Sequence, residues 1–110
     1  DLLVQAMTDG QWHVETFQEG PDTITDEFTG YNFQFQENGK VTSIKDSLII
    51  QGNWTSDVQN YSISSDFPSA ENPIKKLNGT WKIRDTQMDY VVAEMTDTQG
   101  KNILHLRKNP

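Results

Sequence analysis

From Gly10 onward the chain alternates between apolar and polar positions. Trp12, Val14 and Thr16 share one parity, and Tyr31, Phe33 and Phe35 share another with Asn32, Gln34 and Gln36 between them. A period of two is the signature of a half-buried β-strand, whose successive side chains point to opposite faces. Asn38-Gly39 within "ENGK" predicts a tight hairpin, and the "VTSIK" that follows puts Val41 and Ile44 on opposite faces unless a bulge intervenes. Further along, Leu48, Ile50 and Trp54 share parity, as do Tyr61, Ile63 and Phe67, then Trp81 and Ile83; "YVVAEM" is apolar on both parities, and Leu104 with Leu106 ends the series. The pattern predicts eight short strands. Ahead of them, Leu2, Leu3, Ala6 and Met7 fall at helical spacing before Gly10, which predicts one or two helical turns that persist only if docked on another surface.

Turn-bounded strands at intervals of about 8–12 residues indicate a barrel or a sandwich. The connections after the first and fifth strands are long, "QEGPDTITDEFTG" and "PSAENPIKKLNG", whereas "ENGK", "TSDV" and "RDTQ" after the second, fourth and sixth are short. In an up-and-down barrel, odd and even connections lie at opposite ends, so the alternation predicts one end with long lids and one tight end. The expected fold is therefore all-β: an eight-stranded antiparallel up-and-down barrel with a short N-terminal helix, residues 1–110 forming one domain. All three tryptophans follow a glycine by two residues, at Gly10/Trp12, Gly52/Trp54 and Gly79/Trp81. A glycine there lets backbone bend or pass close while the indole fills the barrel nearby.

Composition narrows the function. Cysteine is absent, which removes disulfides, thiolate zinc sites and cysteine nucleophiles. The net charge of −7 comes from the first third, where Asp1, Asp9, Glu15, Glu19, Asp22, Asp26, Glu27 and Glu37 meet no Lys or Arg before Lys40. With a pI near 4.6 the protein repels a phosphate backbone, so no nucleic-acid partner is expected. No apolar run approaches the roughly 20 residues that span a bilayer. The chain begins at Asp1 rather than Met, which points to a processed N-terminus behind a signal peptide or a lipid-bearing cysteine, and hence to export.

Candidate chemistry is sparse. His13 and His105 fall on the first and last strands with outward parity and lack the further ligands a metal site needs. Glu19, Asp22, Asp26 and Glu27 crowd the first long loop without EF-hand spacing. No serine sits in a nucleophile elbow or a Ser-His-acid grouping, so no enzyme and no cofactor are expected.

A short helix leading into Gly-x-Trp, a long first loop, an eight-strand meander and a basic residue near the end of the last strand resemble the lipocalin and wider calycin pattern. "GQWHVETF", "GYNFQFQENGKVTS", "GNW" and the final "ILHLRK" are similar to the small lipocalin-like domains of exported lipoproteins in Gram-negative gut bacteria. The resemblance implies a periplasmic or cell-surface location, with membrane contact only through a lipid anchor upstream of Asp1. It implies that Trp12 packs at the closed end under Arg107, although parity places Arg107 outside. In a bacterial protein the sequons at Asn53, Asn60 and Asn78 are unmodified. Two functional classes stay open. In one, the inward aromatics Phe33, Phe35, Trp54, Tyr61 and Trp81 line a small apolar ligand site under the first-loop lid, whose carboxylates favour neutral or cationic ligands. In the other, a filled barrel meets a protein partner through its long loops or an exposed strand. An internal cavity of roughly 300 Å³ or more supports the first and a plugged interior the second.

Overall fold

The computed structural model describes residues 1–110. Helix α1 (Leu2–Met7) leads into β1 (Trp12–Glu19), β2 (Asp22–Thr23), β3 (Asn32–Phe35), β4 (Lys40–Lys45), β5 (Leu48–Asp57), β6 (Ser62–Asp66), β7 (Gly79–Thr86), β8 (Tyr90–Asp97) and β9 (Gly100–Lys108). Single 3-10 turns, Thr25–Phe28 and Ile74–Leu77, interrupt the two long loops. From β3 to β9 each strand pairs antiparallel with the next, and β1 joins β3 on one side and β9 on the other. An eight-stranded closed barrel results. Strand β2 is no stave of it, since Gln18↔Thr23 and Glu19↔Asp22 fold it back on β1 as a small hairpin.

The long connections, residues 20–31 and 67–78, lie at one end, as their alternation with short ones predicts. At the other end α1 closes the barrel. Asp1 caps it, its Oδ1 accepting from the Leu3 and Val4 amides at 2.7 and 3.2 Å, and the helix turns Leu3, Ala6 and Met7 into the core. So short a helix is held by that burial rather than by its own propensity.

Two bulges reset the period of two. One in β1 between Val14 and Thr16 makes Phe17, not Thr16, the next fully buried side chain. Another between Ile83 and Asp85 does the same for Thr86 in β7. Strand β4 carries no bulge; instead Ser43 faces inward beside Val41 and leaves Ile44 on the outer face, and the Ser43 Oγ is buried without a hydrogen-bond partner.

Each tryptophan ties a strand to the segment that closes one end. The Trp12 indole N–H donates to the Met7 carbonyl at 3.1 Å, that of Trp54 to Gln36 in the β3–β4 hairpin at 2.8 Å, and that of Trp81 to Leu77 in the second long loop at 2.9 Å. A buried indole thus fills the core and satisfies its one donor on a backbone carbonyl, of a plug for Trp12 and Trp81 and of a hairpin for Trp54. The glycines before Trp12 and Trp54 act differently. Gly10 turns the chain from α1 into β1 at φ +73°, a region that disfavours side chains, whereas Gly52 lets the end of β6 cross over β5, with Phe67 against its Cα.

That crossing has a topological result. Strand β6 ends at Asp66 opposite Asn53, so the segment Leu48–Gly52 of β5 pairs with β4 on one side and with no strand on the other.

Candidate functional site

The lidded end is closed by its own loops. Phe28 of the first long loop stacks on Phe17 at 5.1 Å between ring centroids, and Trp81 meets Phe17 edge-on at 5.7 Å. From the second long loop, Phe67, Ile74 and Leu77 are buried in the same cluster. Above this apolar plug, Lys76 Nζ bridges the loops, 3.4 Å from Glu19 and 3.3 Å from Glu27. Partial burial pulls the Lys76 pKa down, but the hydrogen bonds and attraction of Glu27 and Glu19 outweigh it, and the group titrates above the usual lysine value. The lid is therefore apolar inside and ionic outside.

Beneath the plug remains a cavity of about 40 Å³, lined by Phe33, Phe35, Phe67, Trp81, Met7 and Leu104 among other apolar side chains. It has room for a few waters and lies far below the ~300 Å³ at which small-molecule sites begin.

The five aromatics expected around a ligand separate accordingly. Phe33, Phe35 and Trp81 line the residual cavity. Trp54 sits toward the helix end, edge-on to Phe35 at 5.4 Å, and does not line it. Tyr61 is a correction: it lies in the β5–β6 turn at φ +52° and is 39% exposed, because the chain reverses there before the inward parity of β6 begins. The side chains that close the mouth, Phe28, Ile74 and Leu77, escape the alternation test because they come from loops. Their one sequence signal is that they are large apolar residues in loops that are mostly polar.

The cation over Trp12 is also corrected. Lys108 Nζ stands 5.0 Å from the indole, while Arg107, facing outward as its parity requires, lies over Tyr90 at 5.4 Å. Arg107 instead grips the bulge residue Glu15 through Nε–Oε2 at 2.8 Å and Nη2–Oε1 at 3.3 Å. This forked hydrogen bond is the main reason the Glu15 pKa falls below 4.5; partial burial opposes it, and the charges of Arg107, His105 and His13 add to it. A carboxylate depressed on folding contributes stability above its unfolded pKa and loses it as pH drops through the folded one. Glu15→Gln should accordingly lower the melting temperature slightly at pH 7, and thermal melts of the two proteins should converge well below pH 4.5.

Elsewhere only some of the charged groups are paired, among them Lys108 with Asp9 and Arg84 with Glu94. His13 Nδ1 lies 2.6 Å from Asn109 Oδ1, and His105 is opposite Thr16, two positions further along the ladder from the His13–Arg107 pair. No three His, Asp or Glu side chains converge on a point. On the outer face of β5–β8 a shallow hydroxyl-lined concavity includes Thr55, Ser64, Thr80 and Thr96, with Glu94 at its margin held by Arg84 and Lys101.

Fold and interior together define a closed eight-stranded antiparallel barrel, plugged by a helix at one end and by two loops at the other. A crystal structure of a DUF4847 family protein from Bacteroides vulgatus ATCC 8482 has the same fold, with a TM-score of 0.68 at 16% identity over 97% of each chain. No protein-family model matches the sequence, and no curated protein matches it.

Proposed function

We propose that this protein is a non-enzymatic binding module that works through its exterior, the filled barrel serving as a rigid scaffold for a protein partner. One observation carries the reading: the interior keeps only about 40 Å³, against the ~300 Å³ or more of small-molecule sites. An internal ligand would have to displace buried side chains that line the cavity, Phe67 and Leu77 among them, from the packed core. Export to the periplasm or cell surface belongs to the same proposal and is supported by the resemblance to exported lipoprotein domains.

The test is a titration with an apolar fluorophore, followed through its own emission and through quenching of the protein's tryptophan emission. No saturable binding is expected at high micromolar dye. Saturable quenching that disappears in Phe33→Ala would place a ligand in the barrel and defeat the proposal.

A further inference from the structure

The exposed half of β5 has an orientation that can be read from its register. Lys45 and Leu48 flank a two-residue turn and form a hydrogen-bonded pair, so Ser43↔Ile50 and Val41↔Gly52 do as well, and the amides and carbonyls of Ile49 and Gln51 point away from β4. The same phase appears lower down, where the Trp54 amide bonds to Gly39 on the β4 side and odd-numbered Asn53 is next to β6. No backbone hydrogen bond joins Ile49 or Gln51 to any segment on that outer side. Three of the four side chains there are apolar: Leu48 is 53% and Ile49 60% exposed, and Ile50 packs against the margin of the core, while Gln51 is exposed and polar. An unpaired strand edge of this kind is ordinarily blunted by lysine, proline or a cover. Here none of these is present.

We infer that the Leu48–Gln51 edge of β5 is a strand-addition site that accepts an extended partner segment, apolar at alternate positions and cationic at its ends. The inference deepens the exterior-binding reading and rests on it. The incoming strand runs antiparallel to β5, in line with β6 and starting where β6 stops at Asp66. Its carbonyls and amides meet those of Ile49 and Gln51, and its alternate side chains cover Ile49 on one face and Leu48 with Ile50 on the other. Charge selects the occupant. Asp66 at one end of the edge and Asp46 at the other are exposed and take part in no ion pair. They attract a strand with basic ends. A second copy of this chain is disfavoured, because antiparallel pairing of two such edges brings Asp46 of one copy toward Asp66 of the other, between molecules that each carry −7.

The probe is a capped peptide, Lys-Val-Thr-Val-Thr-Lys, added to the ¹⁵N-labelled protein while amide exchange is followed residue by residue. At millimolar peptide the Ile49 and Gln51 amides should exchange about tenfold more slowly or better, while Leu48 and Ile50, already bonded to β4, change little. Ile49→Lys keeps an exposed position exposed and should abolish the protection; Gln51→Pro, which deletes one edge donor, should do the same. A peptide with Glu in place of both lysines should protect less. Unchanged Ile49 and Gln51 amides would overturn the inference, as would protection that arises without peptide as protein concentration rises, since the occupant would then be a second copy. Dye entry into the barrel leaves these amides untouched, so failure of the scaffold reading and failure of the edge site are told apart.

Discussion

Trp12→Ala will cost about 3–5 kcal/mol of folding stability, a large share of the ~5–15 kcal/mol typical of a domain. Trp12 is fully buried, and its loss opens a cavity at the point where three parts of the molecule meet. Its indole is bonded to the last carbonyl of α1, its backbone pairs with both Phe33 and Lys108, and the Lys108 ammonium lies over its ring. Removing it therefore loosens the helix plug and the seam between β1 and β3 together with the core. Thermal melts should show a drop of more than about 10 °C. A shift of only a degree or two would mean that α1 is not anchored through this side chain.

Gly52→Ala should have the next largest effect, about 2–3 kcal/mol, although it adds a single methyl group. The new Cβ would collide with the carbonyl oxygen of Asp66 and come 2.8 Å from Cδ1 of Phe67. A backbone carbonyl cannot swing aside as a flexible side-chain tip can, and Phe67 is itself locked in the mouth plug. Denaturant titration should give a lower midpoint at an unchanged slope. Amide exchange in residues 67–78 should quicken, because the second lid is hinged at this crossing. A neutral substitution would show that β6 does not turn over β5 here.

Much of this architecture was legible in the alternation. Phe33 and Phe35, Trp81 and Ile83, and Leu104 and Leu106 all point inward as a period of two requires, and the loop lengths identified the lidded end. What escaped has identifiable physical causes. The bulge at Glu15 is stabilised by a partner on β9, ninety-two residues away, so nothing local marks the switch from Thr16 to Phe17. Tyr61 fits the parity of Ile63 but lies in a left-handed turn that parity cannot register. Ser43 is inward because its neighbours on β3 and β5 fix the register, against its own polarity. Filling of the interior was the least legible property, since the plugging side chains come from loops. The free edge of β5 was hidden as well: "SLII" reads as an ordinary strand start, and only the point at which β6 stops leaves it unpaired.

The way β1 and β9 meet also governs how the molecule is made. Closure joins Trp12 to Lys108 and His13 to Asn109, the latter pair 96 residues apart in sequence, and Asn109 reaches on across the seam to Asn32 at 2.8 Å. Neighbouring hairpins can zip as they emerge from the ribosome, but β1 has no full-length neighbour until β9 has been synthesised, because it shares only the pair Trp12↔Phe33 with β3. The first strand must wait for the last. During that interval the nascent sheet carries two further open edges, on β1 and on β8, and folding is slowed by the entropy of the longest loop the chain can form. A protein built in this way completes its fold after translation of the barrel rather than during it, and through that interval it is exposed to mispairing at both edges.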